Sequence, residues 1–250
     1  LGMITFKGPA EVARMRQAGR VVAEVLAKVR AAAQPGVELA TLDRLAAEIV
    51  AARGCLPSFL NYHGYPAHIC LSPNETIVHG IPDSRRLREG DILSVDMGAI
   101  FEGWHGDAAV TFGIGEISPE AQRLLEATER ALWAGIEQCR DGGRLGDVGH
   151  VIWAVGDAAG LGVVQEYTGH GIGRQMHEEP QVLNYGDPGK GLRLKRGMAV
   201  CIEPMFNLGD RHTRVLGDGW TVVTVDGSLS AHFEHTVAIT AQGPEVLTLP

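Results

Sequence analysis

The chain has 250 residues, 45% of them hydrophobic, and carries a formal net charge of −8. That length and composition allow a substantial core, as one large domain or two small ones. The acidic balance argues against general affinity for nucleic acid, and no apolar run is long enough to cross a membrane. We therefore expect neither a specific nucleic-acid partner nor a membrane partner.

Two helices are predicted at the start of the chain. A helical pattern opens at Glu11 and runs to about Ala33, and a second pattern begins at Leu39 and ends at Gly54. A glycine directly after a helix is a common C-terminal stop. Strands are expected to follow the second helix.

Two consecutive apolar segments have the pattern of buried strands, and each contains an aspartate. Asp96 lies within residues 92–98, and Asp107 lies within residues 104–110. Burial of a carboxylate is unfavourable unless the group is protonated, ion-paired or bound to a metal. These two residues are therefore candidates for a functional site.

The expected pairing of the two strands puts both aspartates on the same side. Glu102 and Gly103 have the composition of a tight hairpin turn, which would place Asp107 opposite Gly98 and Asp96 two residues further along. Residues two apart in a strand share a face, and diagonal neighbours on paired strands lie within reach of each other. We expect Gly98, which has no side chain, to leave room for the two carboxylates.

The second half of the chain repeats this order of elements. Ser118 and Pro119 are typical of a helix start, and the helical pattern continues to about Cys139. Another helix is predicted from Leu145 to Gly160, followed again by strands. The sequence thus predicts an α+β fold in a single domain, with similar halves at about 8–115 and 116–250 and a site between them.

Three further candidate ligands, His170, Glu203 and Glu234, stand in apolar or glycine-rich segments of the second half. Any one acid alone is more often a structural ion-pair partner. However, no lysine or arginine lies within four positions of any of the four acids. Four carboxylates and one imidazole indicate a site for two cations, and ligation rich in oxygen favours Mn, Fe or Co over a structural zinc.

The cysteines show no CxxC spacing, which excludes a zinc ribbon or a thioredoxin-like motif. No secretory signal peptide opens the sequence, so we expect a reduced chain in the cytoplasm. Two local basic clusters are most simply solvated loops, and the alternative is electrostatic contact with an anionic assembly. The clusters are Arg85, Arg86 and Arg88, and Lys190, Arg193, Lys195 and Arg196.

The candidate residues and their neighbours, in this order, resemble the motifs of type I methionine aminopeptidases over essentially the whole chain. Type II enzymes carry a large helical insertion between the ligands that correspond to His170 and Glu203, and this sequence has only a short segment there. No cysteine- and histidine-rich segment precedes Met3, so the short bacterial form is expected. The matching motifs are Tyr62-His63-Gly64-Tyr65-Pro66, Asn74-Glu75, His79-Gly80-Ile81-Pro82, Asp91, Val95-Asp96-Met97-Gly98, Gly106-Asp107-Ala108-Ala109, Gly169-His170-Gly171-Ile172-Gly173, His177-Glu178-Glu179-Pro180, Ile202-Glu203-Pro204 and Glu234-His235-Thr236.

The resemblance implies a pita-bread fold, in which two pseudo-symmetric α/β halves surround a dinuclear metal site, and a single catalytic domain over residues 1–250. The implied cofactors are two divalent ions, of Mn, Fe(II) or Co, with Zn a further option. By position, Asp96 would hold the second ion, and Asp107 and Glu234 would bridge the two. His170 and Glu203 would complete the first. The implied nucleophile is a hydroxide that bridges the ions. Glu203 would accept the proton that the water loses when the hydroxide forms, and would pass it toward the leaving amine.

The same resemblance gives roles to residues beside the ligands. His79 would hydrogen-bond near the scissile amide and His177 would stabilise the oxyanion, so that the catalytic residues are Glu203, His79 and His177. His63 is a further candidate at the edge of the substrate pocket. Met176 stands where many relatives have phenylalanine, which bears on fine substrate preference. The expected substrate-binding residues, whose aromatic rings and sulfur atoms suit a thioether, are Tyr62, Tyr65, Cys70, His79, Met176, His177 and Trp220.

The implied reaction is removal of the initiator methionine from nascent polypeptides whose second residue is small. The N-termini of such chains are the expected partners, with transient ribosome contact as a further one, and the family suggests a monomer. Two alternatives stay open. Proline-directed peptidases of the same fold share the five ligands but usually carry a large additional N-terminal domain. A non-catalytic binding protein on this scaffold would typically have lost ligands that this sequence retains.

Overall fold

The computed structural model describes residues 3–250. In each half of it, two helices are followed by strands, as the sequence predicts. The α-helices are α1 Pro9–Ala32, α2 Leu39–Ala52, α3 Pro119–Glu137 and α4 Leu145–Ala158. The strands are β1 Leu56–Pro57, β2 Cys70–Pro73, β3 Thr76–Val78, β4 Ile92–Phe101, β5 Trp104–Gly113, β6 Gly162–Val163, β7 Gly169–Gly171, β8 Glu178–Val182, β9 Ala199–Ile202, β10 Met205–Asn207, β11 Thr213–Val215, β12 Val222–Thr224, β13 Ser230–His232, β14 Glu234–Thr240 and β15 Gly243–Val246. In this part of the chain, the helices are too short or too polar to cross a bilayer.

The helix ends follow from local sequence. The hydroxyl of Ser118 accepts a hydrogen bond of 3.1 Å from the backbone N–H of Ala121, and Pro119 is the first residue of α3. Gly54 and Gly160 follow α2 and α4 with a φ of 66° each. Other L-residues avoid this left-handed conformation, so these glycines end the helices. The four predicted helices are confirmed, although α1 begins at Pro9 rather than at Glu11.

The main sheet joins both halves of the chain. Its nine strands have the order β1-β4-β5-β14-β9-β7-β8, with β2 also beside β4 and β15 also beside β14. Its strand pairs are antiparallel. Strand β14, from the end of the chain, therefore lies between β5 of the first half and β9 of the second. The α+β class is confirmed, whereas the boundary between halves at residues 115 and 116 stays a prediction.

The β4–β5 hairpin has the predicted register. Glu102 and Gly103 form its two-residue turn, with φ values of 48° and 79°. Positive φ at both central residues is the signature of a type I′ turn, whose twist matches that of the paired strands. Asp107 lies directly opposite Gly98, so Asp107 and Asp96 are diagonal neighbours on one face of the sheet.

The prediction that Gly98 leaves room for the carboxylates is wrong. A Cβ atom at this position would lie 2.7 Å from Cβ of Ser58 and 2.9 Å from the ring of Phe59. The space beside the glycine is therefore filled by the segment that follows β1. A distant segment of this kind could not be placed from the pattern of the strand alone.

Each pair of helices covers its own part of the sheet. In the first half, Val22 of α1 packs in a buried cluster with Val95 of β4. In the second half, Leu132 of α3 and Ile152 of α4 belong to a second buried cluster. Each fully buried aliphatic side chain contributes about 1.5–3 kcal/mol relative to exposure to water. These clusters hold the strands that carry the site against a rigid outer layer.

The first helix also touches the end of the chain. A Cβ atom at Gly19 of α1 would lie 2.1 Å from the carbonyl oxygen of Leu247. A Cβ atom at Gly106 of β5 would lie 2.8 Å from the backbone nitrogen of Gly19. Arg16 adds an ion pair with Glu245. Helix α1 is thus packed between β5 and the C-terminal residues, and glycine makes this approach feasible.

Candidate metal centre and substrate cavity

Every residue that the sequence assigned to metal binding, catalysis or substrate binding lines one cavity of about 440 Å³. His63, predicted at its edge, lines it as well. Phe59 also lines the cavity and was missed, since nothing in the sequence near it indicates a site. The structure thus brings the predicted residues together, and their individual roles stay predictions.

Five neighbouring strands of the main sheet deliver the candidate ligands. These strands are β4, β5, β14, β9 and β7, in that spatial order. Because neighbouring antiparallel strands lie about 5 Å apart, side chains on one face of them converge. The ligands are Asp96 in β4, Asp107 in β5, Glu234 at the start of β14, Glu203 directly after β9, and His170 in β7.

His170 is oriented as a ligand. Its Nδ1 lies 2.8 Å from the carbonyl oxygen of Gly171, and a carbonyl only accepts, so Nδ1 carries the proton. The lone pair of Nε2 is then free. This Nε2 lies 3.5 Å from Oε1 of Glu203 and 3.8 Å from Oδ2 of Asp107. A carbonyl that fixes the outer nitrogen is the usual support of a metal-binding histidine.

Several buried ligand atoms in this cluster have no hydrogen-bond partner within residues 3–250. They are Oδ1 of Asp96, Oδ1 of Asp107, Oε1 of Glu234 and Nε2 of His232. The only side chains in that range that form ion pairs with the cluster's acids are His170 and His232. Buried polar atoms without partners are rare in folded proteins. Cations among the three carboxylate oxygens would satisfy them, so the acids fit a metal centre.

The pKa values of the clustered acids also indicate a site for cations. Desolvation raises the pKa of Asp96 from 3.8 to about 6. Burial, and next the neighbouring Glu234, raises the pKa of Asp107 well above its ordinary value. Burial together with nearby carboxylates does the same to the pKa values of Glu203 and Glu234. Burial, and next His177, lowers the pKa of His170 to about 3. The acids therefore resist joint ionisation at neutral pH unless cations balance their charge.

Another part of the cavity wall is apolar and rich in aromatic and sulfur-containing side chains. Phe59, Tyr65, Cys70 and Met176 form a buried cluster against which Trp220 packs. The ring of Tyr65 meets that of Trp220 edge to face, with centroids 5.2 Å apart. The hydroxyl of Tyr65 donates to backbone carbonyls, at 2.9 and 3.1 Å, which fixes its ring in the wall. Such a wall suits a flexible apolar side chain.

The two predicted catalytic histidines stand beside the acids. His79 has a left-handed backbone with a φ of 60°, a strained conformation for a residue with a side chain. Burial, and next His232, lowers its pKa to about 4. His177 lies with its ring centroid 4.2 Å from that of His170. Its Nδ1 is 2.7 Å from the hydroxyl of Tyr62.

Sequence reasoning missed one histidine in the cluster. His232 can share a ligand group with Glu203 and Glu234, since one ligand atom of each lies within 4.8 Å of the others. Its position two residues before Glu234 was a signal, because such residues can share a face of an extended chain. Cys201 also lies near Asp107, His170 and Glu234. Burial raises the pKa of its thiol well above the ordinary value, so it stays protonated.

The family of this chain follows from its similarity to known proteins. Residues 13–241 match the model of metallopeptidase family M24. A methionine aminopeptidase of Clostridium acetobutylicum is 51% identical over 248 residues, which are 99% of this chain and 99% of that protein. Identity of this extent over the whole length indicates common descent and a common fold.

Solved structures give the same result. The crystal structure of a methionine aminopeptidase from Thermotoga maritima superimposes with a TM-score of 0.98 at 44% identity, covering 99% of this chain and 100% of that one. The prolidase of Pyrococcus furiosus has a TM-score of 0.79 at 19% identity, covering 98% of this chain and 65% of that one. The second likeness is one of fold alone. The pita-bread α+β fold is confirmed, and the chain belongs to metallopeptidase family M24, among its methionine aminopeptidases.

Proposed function

We propose that this protein is a metal-dependent aminopeptidase that removes the initiator methionine from polypeptides whose second residue is small. One observation carries the proposal: a cluster of acids with unsatisfied ligand atoms shares a cavity with a wall of aromatic, thiol and thioether groups. The acids can hold cations, and the wall suits a methionine side chain. The identity of 51% with a methionine aminopeptidase supports the same reaction.

The proposed cofactors are two divalent ions, of Mn, Fe(II) or Co, with Zn a further option. Oxygen-rich ligation favours these metals, and two divalent ions balance four ionised carboxylates. When bound, such ions lower the pKa of water to about 7 and polarise a carbonyl group. The residues that would hold them are Asp96, Asp107, His170, Glu203 and Glu234.

Proton transfer falls to Glu203 in this proposal. Its side chain is partly exposed to the cavity, whereas those of Asp107 and Glu234 are buried. An ionised carboxylate at the edge of the cluster can accept a proton from the attacking water. The same group can then deliver the proton to the leaving amine.

Two histidines act on the substrate. We assign the hydroxyl of Tyr62 as the donor to Nδ1 of His177, 2.7 Å away, which leaves Nε2–H of His177 as the donor to the oxyanion. His79 lines the same cavity as the acids, and its ring centroid is 6.3 Å from that of Trp220 in the apolar wall. We propose that it hydrogen-bonds near the scissile amide.

The preference for a small second residue has a steric basis in this proposal. The rings of Tyr62 and His63 have centroids 4.4 Å apart, and those of Tyr62 and His177 are 5.3 Å apart. His63 and His177 are exposed, so this group of rings stands at the open side of the cavity. It limits the room for the residue that follows methionine.

Peptide hydrolysis tests the proposal. Metal-stripped protein is given Met-Gly-Met-Met or Ala-Pro-Phe, with Mn, Fe(II), Co or Zn added back. We expect metal-dependent release of methionine from the first peptide alone, and the rates rank the metals. Cleavage of the second peptide instead would assign the chain to the proline-directed peptidases. No cleavage of either peptide with metals bound would indicate a binding protein.

We further propose that the protein acts as a monomer in the cytoplasm, on the N-termini of nascent chains, with transient contact to the ribosome. The four cysteines are unpaired and buried, as is common in reducing compartments. The residues of both basic clusters are exposed. Their charge suits an anionic surface, although the net charge of the chain is −8.

Co-sedimentation with ribosomes tests this contact. The double change of Arg85 and Arg88 to glutamine should reduce the fraction of protein that pellets. The same double change at Arg123 and Arg130, which are exposed on α3, is the matched control. If the first variant pelleted as much as the unaltered protein, the proposed ribosome contact would be wrong.

A further inference from the structure

His232 is an imidazole within the acid cluster that the proposed function leaves without a role. It ends β13 and is only 1% exposed. Its Nε2 lies 3.5 Å from Oε2 of Glu203 and 3.8 Å from Oε2 of Glu234. This nitrogen has no hydrogen-bond partner within residues 3–250. Buried polar atoms without a hydrogen-bond partner are unfavourable and rare in folded proteins, so this nitrogen calls for an explanation.

Glu203 lies between two imidazoles. Nε2 of His170 is 3.5 Å from Oε1 of Glu203, and Nε2 of His232 is 3.5 Å from Oε2. Each oxygen of the carboxylate therefore faces one ring nitrogen. If one of the two nitrogens donates a proton to its oxygen, the rotation of the carboxylate is fixed and the other oxygen stays available.

The two imidazoles differ in how their outer nitrogens are held. Nδ1–H of His170 donates to the carbonyl of Gly171, so its Nε2 presents a lone pair. Within residues 3–250, no hydrogen bond of this kind holds the ring of His232, so its Nε2 is free to carry the proton. The backbone of His232 is fixed by Thr111, whose hydroxyl lies 2.9 Å from its nitrogen and 2.7 Å from its oxygen. The backbone of His232 is thus held in position, but within the part of the chain that the structure describes its ring lacks the hydrogen bond that orients the ring of a metal ligand.

We propose that His232 is a positioning residue for Glu203. Its Nε2–H points at Oε2 and holds the carboxylate in one orientation. Oε1 is left on the side of His170, where it would be available to hold a cation and to accept the proton. The distance of 3.5 Å is longer than an ordinary hydrogen bond, as catalytic hydrogen bonds often are before substrate binds. This inference rests on the proposed function.

Two variants of His232 test the inference. His232→Leu keeps much of the volume but has no donor, and His232→Gln keeps an N–H donor. We expect both to bind the same number of Co(II) ions as the unaltered protein, and His232→Gln, which keeps the donor to Glu203, to keep the visible Co(II) absorption spectrum as well. We expect kcat to fall about 10- to 100-fold in His232→Leu, with KM nearly unchanged, and to recover largely in His232→Gln. His212→Leu, at an exposed histidine, is the matched control.

The outcomes that would overturn the inference are distinct. Loss of a Co(II) ion, or an altered spectrum in both variants, would make His232 a metal ligand. An unchanged kcat in His232→Leu would make it a bystander. Should His232→Leu lack the near-UV circular dichroism of the folded protein, His232→Asn replaces it, because its shorter amide does not reach Glu203. An unchanged kcat in His232→Asn would then overturn the inference.

The same experiments separate this inference from the proposed function. If the unaltered protein released no methionine with any metal, the proposed function would fail. The Co(II) spectra of the variants would still show whether His232 touches the ions. If the unaltered protein were active and His232→Leu equalled it, the inference alone would fail.

Discussion

The hydroxyl of Tyr62 lies 2.7 Å from Nδ1 of His177. Desolvation, and next the neighbouring His63, lowers the pKa of His177 below its ordinary value, so the ring is neutral near pH 7. A neutral imidazole has one proton, and with Tyr62 as donor that proton resides on Nε2. In that arrangement, Tyr62 would select the tautomer of His177 that can donate to a substrate.

Removal of this hydroxyl should slow turnover and leave metal binding intact. For Tyr62→Phe we expect a decrease in kcat of about 3- to 10-fold, the loss that one ordinary hydrogen bond implies. Steady-state hydrolysis of Met-Gly-Met-Met measures it. Tyr185→Phe, outside the cavity, is the control and should match the unaltered protein. An unchanged kcat in Tyr62→Phe would show that the tautomer is set by other means.

Loss of the imidazole itself should cost more. We expect His177→Ala to lower kcat by about 10²- to 10³-fold, the usual effect of removing one oxyanion donor. Titration calorimetry with Co(II) should show undiminished stoichiometry, although the ring of His177 lies 4.2 Å from that of His170. If His177→Ala lost the ions too, its assignment outside the ligand set would be wrong.

In the metal-free protein, burial of Asp96 should make the free energy of unfolding decrease as pH rises. Well below pH 3.8, Asp96 is protonated in the folded and the unfolded chain. Because its folded pKa is raised from 3.8 to about 6, the unfolded chain ionises first as pH rises between these values, and the folded state loses stability. Asparagine does not titrate. Relative to Asp96→Asn, the free energy of unfolding of the unaltered protein should therefore fall by about 1–3 kcal/mol.

Urea unfolding in EDTA at pH 4, 5, 6 and 7 measures this difference. Saturating Mn(II) provides the control, since a bound cation stabilises the ionised carboxylate and should reverse the trend. A difference between the two proteins that does not change with pH in EDTA would contradict the raised pKa of Asp96.

The apolar wall should determine the choice of the first residue. Trp220 packs against the ring of Tyr65, and its loss opens the wall. For Trp220→Ala we expect kcat/KM on Met-Gly-Met-Met to fall about 10-fold, with a weaker preference over Leu-Gly-Met-Met and with metal content retained. Trp133→Ala, on the exposed side of α3, is the control. An unchanged preference for methionine over leucine would contradict the assignment of Trp220 to the substrate pocket.

Gly98 should be intolerant of any side chain. A Cβ atom there would approach Ser58 and Phe59 to less than 3 Å, so Gly98→Ala should lower the free energy of unfolding by about 1–3 kcal/mol. Gly217→Ala is the matched control, because a Cβ atom there would have no neighbour within 4 Å. Equal urea midpoints for the two variants would contradict the close packing at Gly98.

Local chemistry made much of this fold predictable. Ser118, Pro119 and the two glycines after α2 and α4 mark helix ends through bonds and dihedrals that involve only near neighbours. The turn at Glu102 and Gly103 then fixes the register that brings Asp96 and Asp107 together. The apolar or glycine-rich segments around His170, Glu203 and Glu234 indicated the remaining candidate ligands, and the resemblance to a known family supplied their roles.

Contacts between distant segments were not predictable in this way. The approach of Ser58 to Gly98 and of His232 to Glu203 depends on how separate strands pack, which no local pattern encodes. The same holds for the ion pair of Lys7 with Glu178, 2.9 Å long and nearly buried, which ties the start of the chain to the loop of His177. Such pairs become visible only once the sheet is assembled.

The packing of α1 against Leu247 has a consequence for biosynthesis. The first helix is synthesised well before the residues that complete its packing, and before the candidate ligand Glu234. A growing chain therefore has no complete metal centre and an unfinished hydrophobic face on α1. Assembly of the cavity thus depends on residues that are made long after the first helix.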